Sequence, residues 1–97
     1  MYIVTVVFSV YRSKVKEFSL LVAKQAADSL EKEKECLTFD VSIGDGTDEI
    51  VPFFLYEIYV NKESFETHIA MNHFHDFSQN IDGMVANKEI NVWHKLG

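Results

Sequence analysis

The chain has 97 residues, 47% hydrophobic and 13% aromatic, with 15 acidic and 9 basic side chains and a net charge of -6. This is core material for one small domain, residues 1–97. A net acidic chain whose only arginine is Arg12 lacks the basic clusters that hold nucleic acid or an anionic membrane surface.

Cys36 stands alone, so no intramolecular disulfide forms, and a reducing, cytoplasmic setting is expected. The first residues, MYIVTVVFSVY, lack the basic head and cleavage site of a signal peptide. No apolar run reaches membrane-spanning length. Residues 2–11 read as a strand apolar on both alternating sets, hence covered on both faces. Ser13 is the expected N-cap of a helix over about 14–34, with Val15, Phe18, Leu21, Val22, Ala26 and Leu30 inward. Its end, EKEKE, reads as a solvated last turn. Leu37, Phe39, Val41 and Ile43 alternate with polar residues in a second strand, and Gly44–Glu49 forms a loop. Residues 50–60 form the third strand, with Pro52 near its start. Asn61 caps a helix from about 62 that breaks near Asn72 and continues to about 82, with Phe74, Phe77, Ile81 and Met84 inward. Residues 87–95 close the chain as a strand. The order β-α-β-β-α-β predicts an α+β, ferredoxin-like fold, an antiparallel sheet with two helices on one face. The other face, with Phe54, Tyr56, Ile58 and Val60, then needs a cover, and a second copy of the chain is the expected one.

The chemistry concentrates in FFLYEIYVNKESFETHIAMNHFHDF, residues 53–77. Glu57 interrupts an apolar strand, where a carboxylate is costly unless paired. Phe65, His68, Ile69 and Asn72 share one helix face, which turns His68 inward. Strand and helix together predict that Glu57 and His68 meet over the sheet.

The pattern FDV at 39–41, YEIY at 56–59, and histidines eleven and sixteen residues after the glutamate, His68 and His73, resembles the antibiotic biosynthesis monooxygenase domain family. The resemblance runs from Tyr2 to Lys95 and implies a homodimeric α+β barrel. It implies an oxygenase of phenolic or quinol substrates that uses no cofactor. A related branch isomerises a phosphorylated dione of autoinducer-2 breakdown, and another degrades haem. The haem-degrading pattern is not met: the first strand has no asparagine, and the lone tryptophan is Trp93 on the last strand.

On this reading Glu57, His68 and His73 are the catalytic candidates. Phe53, Tyr59, Phe74 and Phe77 line the pocket for a small-molecule substrate. The alternative role of Glu57 and His68 is an ion pair that fixes helix on sheet. For an isomerase, Arg12 and Lys24 are the only cations expected near enough to take a phosphate. A non-catalytic ligand-binding dimer is the third possibility. His68, His73 and Asp76 match no recognised metal-ligand spacing, and no metal is expected. Cys36 reads as a small packing residue, and His94 and Trp93 as edge or interface residues.

Overall fold

The computed structural model describes residues 1–97. β1 is Tyr2–Tyr11, followed by a 3₁₀ turn Arg12–Lys14; α1 is Val15–Lys32, β2 Cys36–Ile43 and β3 Ile50–Tyr59. α2 is Lys62–Ile69, α3 Asn72–Asn80 and β4 Val85–His94. The strands form one antiparallel sheet in the order β2-β3-β1-β4. This is the ferredoxin-like arrangement the element order predicts. No helix is long and apolar enough to cross a membrane.

The two central strands set the core. Register pairs such as Val4↔Glu57, Val6↔Leu55 and Phe8↔Phe53 place alternate residues of β1 and β3 on the helix side. There Val4, Val6, Phe8, Val10, Val51, Phe53, Leu55 and Tyr59 are buried. α1 adds Phe18, Val22 and Ala26, and the α3 end adds Phe77 and Ile81. Phe18 seats at the centre, 4.7 Å from Phe53 and 5.3 Å from Phe8, ring centre to ring centre, in edge-to-face contacts. Each such buried aromatic is worth roughly 2–3 kcal/mol of transfer free energy. The opposite face carries no helix, and Phe54 and Trp93 stand 41% and 54% exposed there.

Local expectations needed correction in three places. Ser13 lies in the 3₁₀ turn; α1 begins after Lys14 without a side-chain cap. Leu30 is 47% exposed, while Gln25, Ser29 and Glu33 are buried. A stripe extended only by steps of four precesses about 40° per step, so Leu30 lies about 120° from Phe18. Gln25, Ser29 and Glu33 stay within about 60°. Leu37 is 45% exposed because a bulge between Cys36 and Thr38 leaves it as the extra residue. The break near Asn72 is where expected: α2 ends at Ile69 and Asn72 opens α3 as its first residue. Asn61 caps α2 as expected, its Oδ1 accepting from Ser64 N at 2.9 Å.

The β2–β3 loop turns at Gly46, where φ is +69° and a Cβ would sit 2.2 Å from the Ile50 carbonyl oxygen. Gly83 also has positive φ, +82°, but nothing lies within 4 Å of its Cβ position. Alanine at Gly83 is therefore expected to cost about 1 kcal/mol of backbone strain, and at Gly46 about 1–3 kcal/mol more, because backbone must move. Urea unfolding of Gly46→Ala and Gly83→Ala checks this; equal losses would contradict it.

Candidate active site

Period-2 alternation puts Glu57 on the helix side of β3, between Leu55 and Tyr59, and leaves it 3% exposed. Tyr59 donates its hydroxyl to Glu57 Oε1 at 2.6 Å. Burial nevertheless pushes the carboxyl up to about 7; the Tyr59 hydrogen bond opposes this, the nearby Glu33 charge adds to it, and Lys88 eases it. Glu57 thus holds its proton to a higher pH than an ordinary carboxyl.

His68 comes from the inner face of α2, the helix begun by the Asn61 cap. A second anchor holds that start: Ser64 Oγ donates to Glu35 Oε1 at 2.5 Å. The His68 ring, 2% exposed, is packed among Tyr59, Phe65, Phe74 and Phe39 at centroid distances of 5.3 to 6.1 Å. Glu57 and His68 do meet, Oε1 to Nε2, but at 4.0 Å. That is too long for a hydrogen bond.

The direct carboxylate partner of His68 is Glu33. His68 Nδ1 lies 2.8 Å from Glu33 Oε2 and 3.1 Å from Oε1. The same Glu33 Oε2 receives His73 Nε2 from the start of α3 at 2.5 Å. Glu33, at the C-terminal cap of α1, is 7% exposed and belongs to the EKEKE run that reads as solvated. The helical period that buries Gln25 and Ser29 was the available signal for it. A carboxylate accepting from Nδ1–H fixes the His68 tautomer and leaves the Nε2 lone pair free on the Glu57 side. Burial lowers the His68 pKa, and the Glu33 hydrogen bond and charge resist that fall. The ring is therefore poised as a neutral base.

A cavity of about 450 Å³ lies between the sheet and the α2–α3 pair, in the range of small-ligand sites. Of its 17 lining residues 11 are hydrophobic, so it suits an apolar body with a few polar groups. Glu57, His68, Phe74 and Phe77 line it, as does Lys88, whose Nζ sits 5.7 Å over the Phe8 ring. The other sequence candidates lie elsewhere. Phe53 is locked in the core against Phe18, and Tyr59 stands beside Glu57 without lining the cavity. His73 lines a separate polar cleft with Lys24, Asp28 and Asp76. Arg12 spends its donors on the β2–β3 loop, Nε on Thr47 O and Nη2 on Asp45 O, each at 2.8 Å. Lys24 is paired with Asp28 at 2.7 Å on the surface. Cys36 is buried and its thiol is pushed up to about 12, chiefly by burial, which suits packing over nucleophilic work. Sequence reasoning missed Glu33, Gln25, Phe39, Phe65 and Lys88.

Glu33, His68 and His73 bring donor atoms within 4.8 Å of one another, a set able in principle to take a metal. Asp76, weighed with the two histidines in the sequence, lies outside that set. Donors around a tetrahedral zinc stand roughly 3.4 Å apart. The 2.5 and 2.8 Å separations here are those of hydrogen bonds, and the arrangement is one carboxylate shared by two imidazoles.

No curated protein sequence matches the chain. Solved structures do. A protein from Nitrosomonas europaea described as a "putative antibiotic biosynthesis monooxygenase" superposes with TM-score 0.89 at 20% identity, over 100% of both chains. One of the same description from Caulobacter crescentus CB15 gives TM-score 0.90 at 16% identity, over 99% of this chain and 90% of the other. A conserved protein from Methanosarcina mazei Go1 gives 0.84 at 25% identity, over 98% and 92%. Shape at such identities carries the fold; the sequence itself carries the family. Residues 1–80 match the family model described as antibiotic biosynthesis monooxygenase, and the chain belongs to that family.

Proposed function

We propose that this monooxygenase-like protein is a cofactor-independent oxygenase of a small phenolic or quinol compound, working as a homodimer. The observation that carries the reading is the free Nε2 of His68, oriented by Glu33, facing Glu57 at the wall of an apolar cavity. A substrate hydroxyl placed in the 4.0 Å gap reaches both groups. His68 takes its proton, and the ionised Glu33 stabilises the imidazolium that results. The electron-rich phenolate then reduces dioxygen itself. One oxygen atom enters at a free ring carbon as a hydroxyl, the two original hydroxyls become carbonyls, and the other oxygen atom leaves as water with two substrate hydrogens. A quinol with a free ring position thus gives a hydroxyquinone plus water, and no external reductant is consumed. Aromatic walls exclude bulk water from the radical stage.

A second reading is isomerisation of a phosphorylated hydroxy-dione by the same two groups. It is favoured by Lys88, the cation that does reach the cavity. Oxygen uptake with a panel of hydroquinones separates the two. Wild type is expected to consume oxygen, His68→Ala to lose about 100-fold or more, and Glu33→Gln about 10- to 100-fold. Isomerisation of the dione without oxygen uptake by any quinol would give the site to the second reading. If neither occurs, while a ligand binds and raises the melting temperature, the chain is a binding module.

The raised Glu57 carboxyl has a consequence for stability. Its folded pKa, about 7, lies above the ordinary 4.5, so the folded state holds this proton more tightly. Stability is unaffected below the ordinary value and falls as pH rises from about 4.5 to 7, by about 3 kcal/mol in all. His68, with a lowered pKa, acts in the other sense and costs stability as pH falls below its ordinary 6.5. Glu57→Gln keeps an acceptor for Tyr59 and removes only the first effect. Its stability relative to wild type is expected to climb by up to about 3 kcal/mol between pH 4.5 and 8, measured by urea unfolding. A pH-independent difference refutes a buried, raised carboxyl.

Dimerisation is proposed through the helix-free sheet face. Ile3, Val7, Tyr56 and Ile58 are half-buried there beside exposed Phe54 and Trp93. An apolar stripe of this kind marks an association surface. Phe54→Lys is expected to convert a dimer to a monomer in light scattering; an unchanged mass, or a wild-type monomer, removes the proposal.

A further inference from the structure

The wall of the sheet–helix cavity carries a single ammonium group. Lys88 lines it together with two acids, Glu57 in the buried part and Asp82 at the exposed rim. Cross-strand pairing with Phe8 turns Lys88 to the helix side of β4, two places before Ile90, which lines the same cavity. An apolar side chain would serve the packing there. A lysine on an edge strand also discourages pairing with other chains, but that role asks for an ammonium out in solvent. Here the stem folds inward, and Nζ lies 5.7 Å over the ring of Phe8, which is 3% exposed. The lysine–carboxylate pairs of the chain engage Lys14, Lys24 and Lys32, and none engages Lys88. In a chain of net charge -6, this ammonium leans over a cavity without an acid of its own.

We infer that Lys88 is a ligand-binding residue and that the cavity takes organic monoanions, an apolar body whose carboxylate meets Lys88 at the rim. This deepens the oxygenase reading and rests on it only in taking the cavity as the substrate site. The polarity of the cavity sets the orientation. Its deep end is walled by aromatic side chains and holds the buried Glu57 carboxyl, so a carboxylate placed there is desolvated beside another acid. At the rim a carboxylate stays partly hydrated while Lys88 supplies the opposite charge. The apolar wall keeps the local dielectric below that of water, which strengthens the pair beyond one on open surface. Charge number then chooses between anions. One ammonium balances one carboxylate, whereas a phosphate monoester brings up to about two negative charges to a wall that already carries Asp82.

The experiment is a calorimetric titration at neutral pH and low salt with 2-naphthoate, 2-naphthamide and 2-naphthyl phosphate, which share one ring system. Wild type is expected to bind the carboxylate about threefold to tenfold tighter than the amide, and the phosphate no tighter than the carboxylate. Added salt should erode the preference. Lys88→Met keeps an unbranched stem over Phe8 and should bring the carboxylate-to-amide ratio to about one or below; Lys88→Glu should invert it. Lys95→Met removes the same charge outside the cavity and should leave the ratio intact. A purely structural role for Lys88 would move stability, or all three affinities together. The inference is overturned if wild type does not prefer the carboxylate, if the preference survives Lys88→Met, or if Lys95→Met abolishes it equally. Tightest binding of the phosphate would overturn the assignment to monoanions. None of the three ligands is a phenol, so a failure of oxygen uptake would sink the oxygenase reading and leave this ratio standing.

Discussion

One carboxylate holds this molecule's working parts together. Glu33, at the end of α1, accepts from His68 of α2 and His73 of α3, so three helices converge on two oxygen atoms. α2 has only eight residues and α3 nine, too short to be stable by themselves. They stand where they do because of the Asn61 cap, the aromatic contacts around His68 and this shared acceptor. The same contact sets the proton on His68 Nδ1. The element that fixes the architecture therefore also decides which nitrogen is free to act, and structural and chemical roles for the residue need not be alternatives.

The frame of the protein is legible in the sequence because period and burial agree there. β1 starts and ends where its apolar run does, Asn61 caps its helix, and the strand with Glu57 faces the helix with His68. The site is only half legible. Glu57 and His68 announce themselves as polar residues inside apolar patterns. Glu33 does not, because it sits in a charge run whose neighbours are solvated, and Leu30 offered a more apolar continuation of the stripe. Gln25 was hidden in the same way. Composition favours leucine over glutamine and glutamate as a core residue; geometry, at about 100° per residue, favours the opposite here. The cation was misjudged for another reason. Arg12 is near the end of β1 in the chain, but its guanidinium is consumed by loop carbonyls, and Lys88 arrives from a strand far along the sequence.

Burial of ionisable groups without full pairing is costly, and the chain tolerates it in a restricted region. Glu57 holds its proton more tightly than an ordinary carboxyl, His68 resists protonation, and Gln25 Oε1 lacks a partner. These three residues border one cavity, with Ser29 Oγ, unpartnered one turn further along α1, outside it, while the core around Phe18 is apolar. Such clustering is what a site that trades stability for reactivity looks like.

The bulge at Leu37 has a bearing on how this chain can vary in length. Cys36 and Phe39 both face the helices although they are three positions apart, an odd spacing that a regular strand cannot reconcile. The extra residue acts as a phase shifter between the segment that delivers Glu33 and the segment that delivers Phe39. Deleting the extra residue would leave Cys36 and Phe39 two positions apart, a spacing that a regular strand keeps on one face without a bulge. The strand thus carries one residue to spare at this point, and a chain one codon shorter here would still turn both Cys36 and Phe39 toward the helices while α1 holds Glu33.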